Sequence, residues 1–133
     1  MKFQPDTPTG VNVVSRHEPG RAWIGATPYE HSVLVPWVGE IQPWQAERFE
    51  ALTPAHFERI AALKPELVIF GSGTKLRFPP PALLRALIER GIGVETMDTG
   101  AACRTFNVLV SEQRSVLAAL ILSAEDASKP AGE

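Results

Sequence analysis

A single cysteine among 133 residues has no internal partner, so no disulfide closes this fold. No stretch approaches the roughly 20 apolar residues of a membrane-spanning helix, and the opening Met1-Lys2-Phe3-Gln4-Pro5-Asp6 has no apolar core of signal-peptide length. A cytoplasmic location without a membrane span is expected from both absences. His17, His31 and His56 share no metal-ligand spacing with one another or with Cys103, so no metal is expected. Basic residues are not in excess either. The 13 Lys and Arg stand against 15 Asp and Glu, a formal charge of −2, and nucleic acid is not an expected partner. The Walker spacing G-x-x-x-x-G-K-S/T does not occur, Leu76 breaks a G-x-G-x-x-G reading, and G-x-S-x-G is absent. No cofactor is expected, and no catalytic residue can be nominated.

What is present is the composition of an ordinary soluble domain, 44% apolar and 21% charged. A chain of this length buries on the order of two-thirds of its unfolded surface, enough to hold a core without staples. The polar, small residues 123–133 and the first nine residues, with two prolines, are too weakly apolar to offset the entropy of ordering. They are expected as tails around a single domain over residues 10–122.

The first third reads as antiparallel β-structure. Val11-Asn12-Val13-Val14 and Ala22-Trp23-Ile24-Gly25 flank the turn Glu18-Pro19-Gly20, which predicts a hairpin. A third strand is expected over Val33-Leu34-Val35-Pro36-Trp37-Val38, with Pro36 marking an edge or a bend because it cannot donate to a ladder. Trp23, Trp37 and Trp44 are expected to cover or fill the core.

From residue 53 onward the alternation changes. Thr53 as N-cap, Pro54 at the first helical position and Leu52 stapling onto Phe57 predict a helix ending by Lys64, with Phe57, Ile60 and Ala61 inward. The unbroken apolar run Leu67-Val68-Ile69-Phe70 predicts a strand covered on both faces, at the centre of the sheet. A second helix opens at Pro79-Pro80-Pro81, buries Leu83, Leu84, Leu87 and Ile88, and closes at Gly91. Strand Gly93–Met97 follows, then a third helix with the stripe Cys103, Phe106, Val110, then an apolar run from Val116 to Leu122 that completes the alternation as a strand. The fold class is α/β: an N-terminal antiparallel hairpin region followed by a parallel β-α-β-α-β unit.

Leu67-Val68-Ile69-Phe70-Gly71-Ser72-Gly73, Arg77-Phe78-Pro79, Gly91-Ile92-Gly93-Val94-Glu95, Met97-Asp98-Thr99 and Ala102-Cys103-Arg104-Thr105-Phe106-Asn107-Val108-Leu109 also carry a resemblance. Together they resemble the small domain-of-unknown-function family that includes the mitochondrial respiratory complex I assembly factor and the adipogenesis-associated domain protein. The resemblance implies a three-layer α/β domain with a mixed sheet and, in the mitochondrial members, a role in building a membrane complex. It supplies no catalytic residue.

The candidate ligand-binding residues are Gly71, Ser72, Gly73, Thr74, Lys75, Asp98, Thr99 and Cys103. The Gly-rich turn can present free N–H groups and one ammonium to an anion, or simply let the chain leave a strand. Asp98 and Thr99 stand at a helix head, where they cap orphan N–H groups or, with Asp98 facing Lys75, line a polar pocket at the sheet edge. Cys103 lies within a turn of that helix start, which lowers a thiol pKa, yet it shares its stripe with Phe106 and Val110, which buries it. Asn107, a polar amide near an apolar face, is expected to pin a loop. Two functions follow: a non-catalytic module that binds another protein, assembly-factor-like by resemblance, or a protein or enzyme that takes a small anionic ligand at Gly71–Lys75 and Asp98.

Overall fold

The computed structural model describes residues 10–127. Two sheets organise it. Strands β1 (Val14–Glu18), β2 (Arg21–Ile24) and β3 (Thr27–Tyr29) form an antiparallel sheet in that order. The remaining strands are β4 (Val33–Pro36), β5 (Gln42–Pro43), β6 (Leu67–Gly71), β7 (Gly93–Met97) and β8 (Val116–Leu120), in the order β5-β4-β8-β6-β7. β6 runs parallel to both β7 and β8, whereas β4 is antiparallel to β8 and β5. The sheet is therefore mixed, as expected.

Side-chain alternation along the strands splits the core in two. Ile69, Ala118, Leu120, Val33 and Val35 face Cys103, Phe106 and Val110 of helix α3 (Thr99–Ser111), and the small sheet adds Val14 and Ile24. Val68, Phe70, Leu34, Leu117 and Ala119 face the other way, onto Trp44, Phe57 and Ile60 of helix α1 (Pro54–Ala62) and Leu87 of helix α2 (Arg85–Glu89). Three layers result. Helices α1 and α2 cover one face of the sheet, and α3 with the small sheet covers the other.

The helix signals resolve into specific bonds. Thr53 and Pro54 start α1 as expected, and His56 occupies the third helical position, where its Nδ1 accepts from the Thr53 N–H at 2.9 Å. Gly91, at φ 68°, donates to Ile88 O at 3.0 Å while Ile92 donates to Leu87 O at 2.9 Å, the paired bonds of a Schellman ending. Asp98 caps α3 by accepting from the Ala101 N–H at 2.9 Å. Asn107 pins strand β1: its Oδ1 accepts from the Val14 N–H at 2.9 Å and its Nδ2 donates to Val14 O at 2.8 Å.

Several expectations are corrected. The first hairpin strand begins at Val14 instead of Val11, because Asn12 is drawn to the end of β4, its N–H to Trp37 O at 2.9 Å and its amide to Pro36 O at 2.7 Å. β4 is not an edge strand. Pro36 is tolerated because β5 pairs only with Val33 and Leu34, so no strand on that side needs an N–H from the proline, whose carbonyl accepts from the Asn12 amide instead. The middle strand of the five is β8, with β6 beside it. The second helix starts as a 3-10 turn over Pro81–Leu84 and leaves Ile88 60% exposed, since the tighter first turn puts Leu83 and Leu84 out of register with the α-helical face that follows. Trp44 fills the core and half-buried Trp37 covers it, as expected, whereas Trp23 lies beneath the guanidinium groups of Arg16 and Arg21. The N-terminal tail expectation and residues 128–133 fall outside the described residues. Within 123–127, Ser123 is buried and Ala124–Ala127 form the short helix α4.

Candidate functional site

The carboxyl ends of the parallel strands bring most of the nominated residues together, though not in the expected arrangement. The connection leaving β6 runs toward β7, and the chain leaving β8 donates from the Leu122 N–H to Ser32 Oγ at 3.0 Å before α4 brings Asp126 back to Thr74 at 3.1 Å.

Gly71, Ser72, Gly73 and Thr99 form a stitched joint. The Gly73 N–H donates to Thr99 Oγ1 at 2.8 Å, Thr99 Oγ1 donates to Ile121 O at 3.0 Å, and the Thr99 N–H returns to Gly73 O at 2.8 Å. Ser72 Oγ donates to Lys75 O at 2.6 Å and accepts from the Arg77 N–H at 3.1 Å. Gly73 sits at φ 106°, a backbone shape that favours glycine. These N–H groups are consumed within the protein, so the turn serves as a structural link and not as an open cradle.

Thr74 and Lys75 project past this joint. They line a cavity of about 120 Å³ with Arg48, Phe49, Glu50, Arg77, Ile121, Ser123, Glu125 and Asp126. Its charges are largely matched: Arg77 pairs with Glu50, Arg48 with Glu125 at 3.4 Å, and Thr74 Oγ1 donates to Asp126 Oδ1 at 3.1 Å. A bond from its own backbone amide and one from Arg77 hold the Glu50 carboxyl below its ordinary pKa. Arg48, Glu50, Arg77, Glu125 and Asp126 were not nominated from sequence. Only Arg77, inside a motif that carries the resemblance, offers a signal; Glu125 and Asp126 lie in the stretch expected as a tail.

Asp98 does not line this cavity. Its carboxylate caps α3 and lies on the side of His17, whose ring atoms come within 3.3 Å of where a Cβ on Gly100 would stand. Cys103 is 3% exposed, and burial pushes its thiol pKa up to about 12, Arg104 offsetting this slightly. It is therefore a thiol at neutral pH and a poor nucleophile.

His17 is half-buried, and burial lowers its pKa below the ordinary 6.5; Asp98 and Glu18 oppose that shift, and Arg104 adds to it. A histidine protonated less readily when folded than when unfolded supports the fold fully above pH 6.5 and withdraws that support as the pH falls toward its folded value. Unfolding midpoints are therefore expected to decline on acidification from pH 7, with a shallower decline in His17→Gln. Equal slopes in the two proteins would overturn that assignment.

No group of three or more His, Cys, Asp or Glu able to hold a metal is present among the described residues. No helix among them is long and apolar enough to cross a membrane.

Known proteins resemble this chain in sequence and in fold. The chain is 34% identical over 121 residues to the mouse NADH dehydrogenase (ubiquinone) 1 alpha subcomplex assembly factor 3, covering 90% of this chain but only 64% of that relative. It is 27% identical over 104 residues to the 13 kDa major membrane protein of Francisella tularensis, covering 77% of this chain and 84% of the relative. A Bordetella pertussis protein with a Mth938-like domain, solved by NMR, superposes with a TM-score of 0.80 at 26% identity over 98% of this chain and 99% of its own. Residues 14–121 match a family described as protein of unknown function (DUF498/DUF598), and the chain belongs to that family.

Proposed function

We propose that this protein is a non-catalytic binding module that docks onto another protein during the assembly of a larger complex, working in the cytoplasm. The observation that carries the reading is the segment after Lys75. Leu76 and Phe78 are 54% and 69% exposed, yet the backbone that bears them is anchored on both sides. Ser72 Oγ accepts from the Arg77 N–H, the Arg77 guanidinium bonds Glu50 and lies 4.7 Å from the Phe49 ring centre, and Pro79 is buried. Two large apolar side chains held ready on a stiff support lose little entropy on binding, as interface anchors require. The name of the mouse relative, an assembly factor, supports the same reading.

The test is affinity isolation of the tagged protein from its own cells, compared with a Leu76→Ser/Phe78→Ser variant. Because both side chains are exposed, the variant is expected to keep the wild-type unfolding midpoint while losing a stoichiometric partner. A partner retained equally by both proteins would remove the segment from the interface. A lone chain recovered from both would end the assembly reading.

A further inference from the structure

Resting on the docking role proposed above, we propose that the free edge of β7 takes up an extended strand of the partner protein, one that carries a Lys or Arg opposite Glu95. The two sheets end in β1, β3, β5 and β7, and three of these edges are blunted against further pairing. On β1 the register slips between Val14 and Arg16, and the Asn107 side chain occupies both backbone polar groups of Val14. β3 contains Pro28, and β5 is two residues long and contains Pro43. β7 has none of these devices. It is five residues without a proline, in unbroken parallel register with β6.

The polar groups that remain open define what fits. Met97 O accepts from the Ser72 N–H at 2.9 Å, so Met97 turns its backbone toward β6, and by alternation Glu95 and Gly93 do the same. The N–H and C=O of Val94 and Thr96 therefore point away from the sheet, and neither residue has another backbone or side-chain bond among the described residues. Another strand satisfies such a row, as in β-strand addition. Charge then decides between occupants. Two copies of β7 paired antiparallel through all four groups would set one Glu95 against the other, at the closest cross-strand spacing of that ladder, which disfavours a second copy. Glu95 is exposed and has no ion-pair partner among the described residues, so a cation across from it is favoured. The edge is also continuous with the exposed docking segment. Ser72 Oγ accepts from the Arg77 N–H at 3.1 Å and lies 3.3 Å from Met97 O, so the backbone between Leu76 and Phe78 meets the carboxyl end of β7 across one hydroxyl.

The probes are a short blocked peptide of alternating Thr and Val with one central Lys, and its counterpart with a central Glu. Each is titrated into the full chain while backbone amides are followed by NMR. Saturable shifts centred on β7 are expected with the Lys peptide, with amide exchange at Val94 and Thr96 slowed by about tenfold or more, and several-fold weaker binding of the Glu peptide. Thr96→Pro removes an outward donor and no bond to β6, and is expected to abolish binding. Glu95→Lys, an exposed change that carries the test even if the proline variant unfolds, is expected to reverse the preference between the two peptides. Absence of saturation with both peptides overturns the proposal, as does undiminished binding by folded Thr96→Pro or an unchanged preference in Glu95→Lys. Shifts at β7 that grow with protein concentration without peptide make a second copy the occupant and overturn it too. In affinity isolation from cells, a partner retained by Thr96→Pro strikes the β7 edge and leaves docking standing, whereas a lone chain ends both.

Discussion

Phe70→Ala is expected to lower the folding free energy by about 3–5 kcal/mol. Phe70 is wholly buried on β6 and is the hub of an aromatic group, with ring centres 5.8 Å from Phe57, 6.1 Å from Trp44 and 6.3 Å from Phe49. Removing the ring takes away its own transfer free energy, the edge-on contacts of Trp44 and Phe57 and the tilted contact of Phe49, and it leaves a hole between a sheet and a helix that are fixed by other bonds. Trp44 cannot swing in to fill it, because its Nε1 donates to His56 O at 3.2 Å. Total stabilities of domains this size are about 5–15 kcal/mol, so the loss is a large fraction of the whole. Urea unfolding followed by Trp fluorescence measures it. Phe70→Leu, which keeps most of the volume, is expected to cost less than half as much. A loss below about 1 kcal/mol for Phe70→Ala would mean that the group is loosely packed and that α1 is held by something else.

How far the sequence revealed this arrangement depended on whether a signal was local. Helix α1 was legible because Thr53, Pro54 and Leu52 state its start and Pro65 its end, all within fourteen residues. The parallel unit was legible because Gly91 and Asp98 punctuate runs of unmistakable period. Strands β3 and β5 carried no such signal: each is short and contains a proline, Pro28 or Pro43, and each exists only because a neighbouring strand offers a ladder. Helix α2 was overread for a related reason. Three successive prolines mark a start, but the first turn after them is 3-10, so the inward face rotates and Ile88 falls outside.

The candidate site divides in the same way. That Thr99 and the glycine turn would meet follows from adjacent parallel strands, as Gly71 pairs with Met97 and Thr99 comes two residues later. That Asp98 and Lys75 would also meet did not follow. Adjacent strand ends fix the distance between two connections, but not the face of the sheet to which each side chain turns. Asp98 is committed to its own helix beside His17, on the α3 side, whereas Lys75 shares its cavity with Phe49, which packs into the core beneath α1. The acidic partner that does reach the Gly-rich turn, Asp126, comes from 52 residues beyond Thr74, in a stretch whose composition gives no reason to expect order.

Two glycines in neighbouring strands separate space from conformation. Gly71→Ala is expected to cost about 1–3 kcal/mol, and Gly93→Ala to be neutral or to stabilise by a few tenths of a kcal/mol. At Gly71 an added Cβ would stand 3.0 Å from both Cα and Oγ1 of Thr99 and 3.2 Å from Cβ of Ala102. Cα of Thr99 cannot move alone, because the same residue carries the bonds to Gly73 and Ile121. Relief requires α3 to rise from β6, and that opens the joint on which Lys75 is mounted. At Gly93 the added Cβ would meet only Cδ1 of Leu67, at 3.2 Å, the far end of a side chain free to change rotamer, on an edge strand with room to accept it. Urea midpoints for the two variants should differ in sign or nearly so, and amide exchange at Gly73 should quicken only in Gly71→Ala. If both variants lose equal stability, the cost lies in placing alanine in these strands, and the close seating of α3 on β6 is not what glycine provides. If Gly71→Ala alone is destabilised while exchange at Gly73 is unchanged, the strain is absorbed elsewhere and the joint is independent of how α3 is seated.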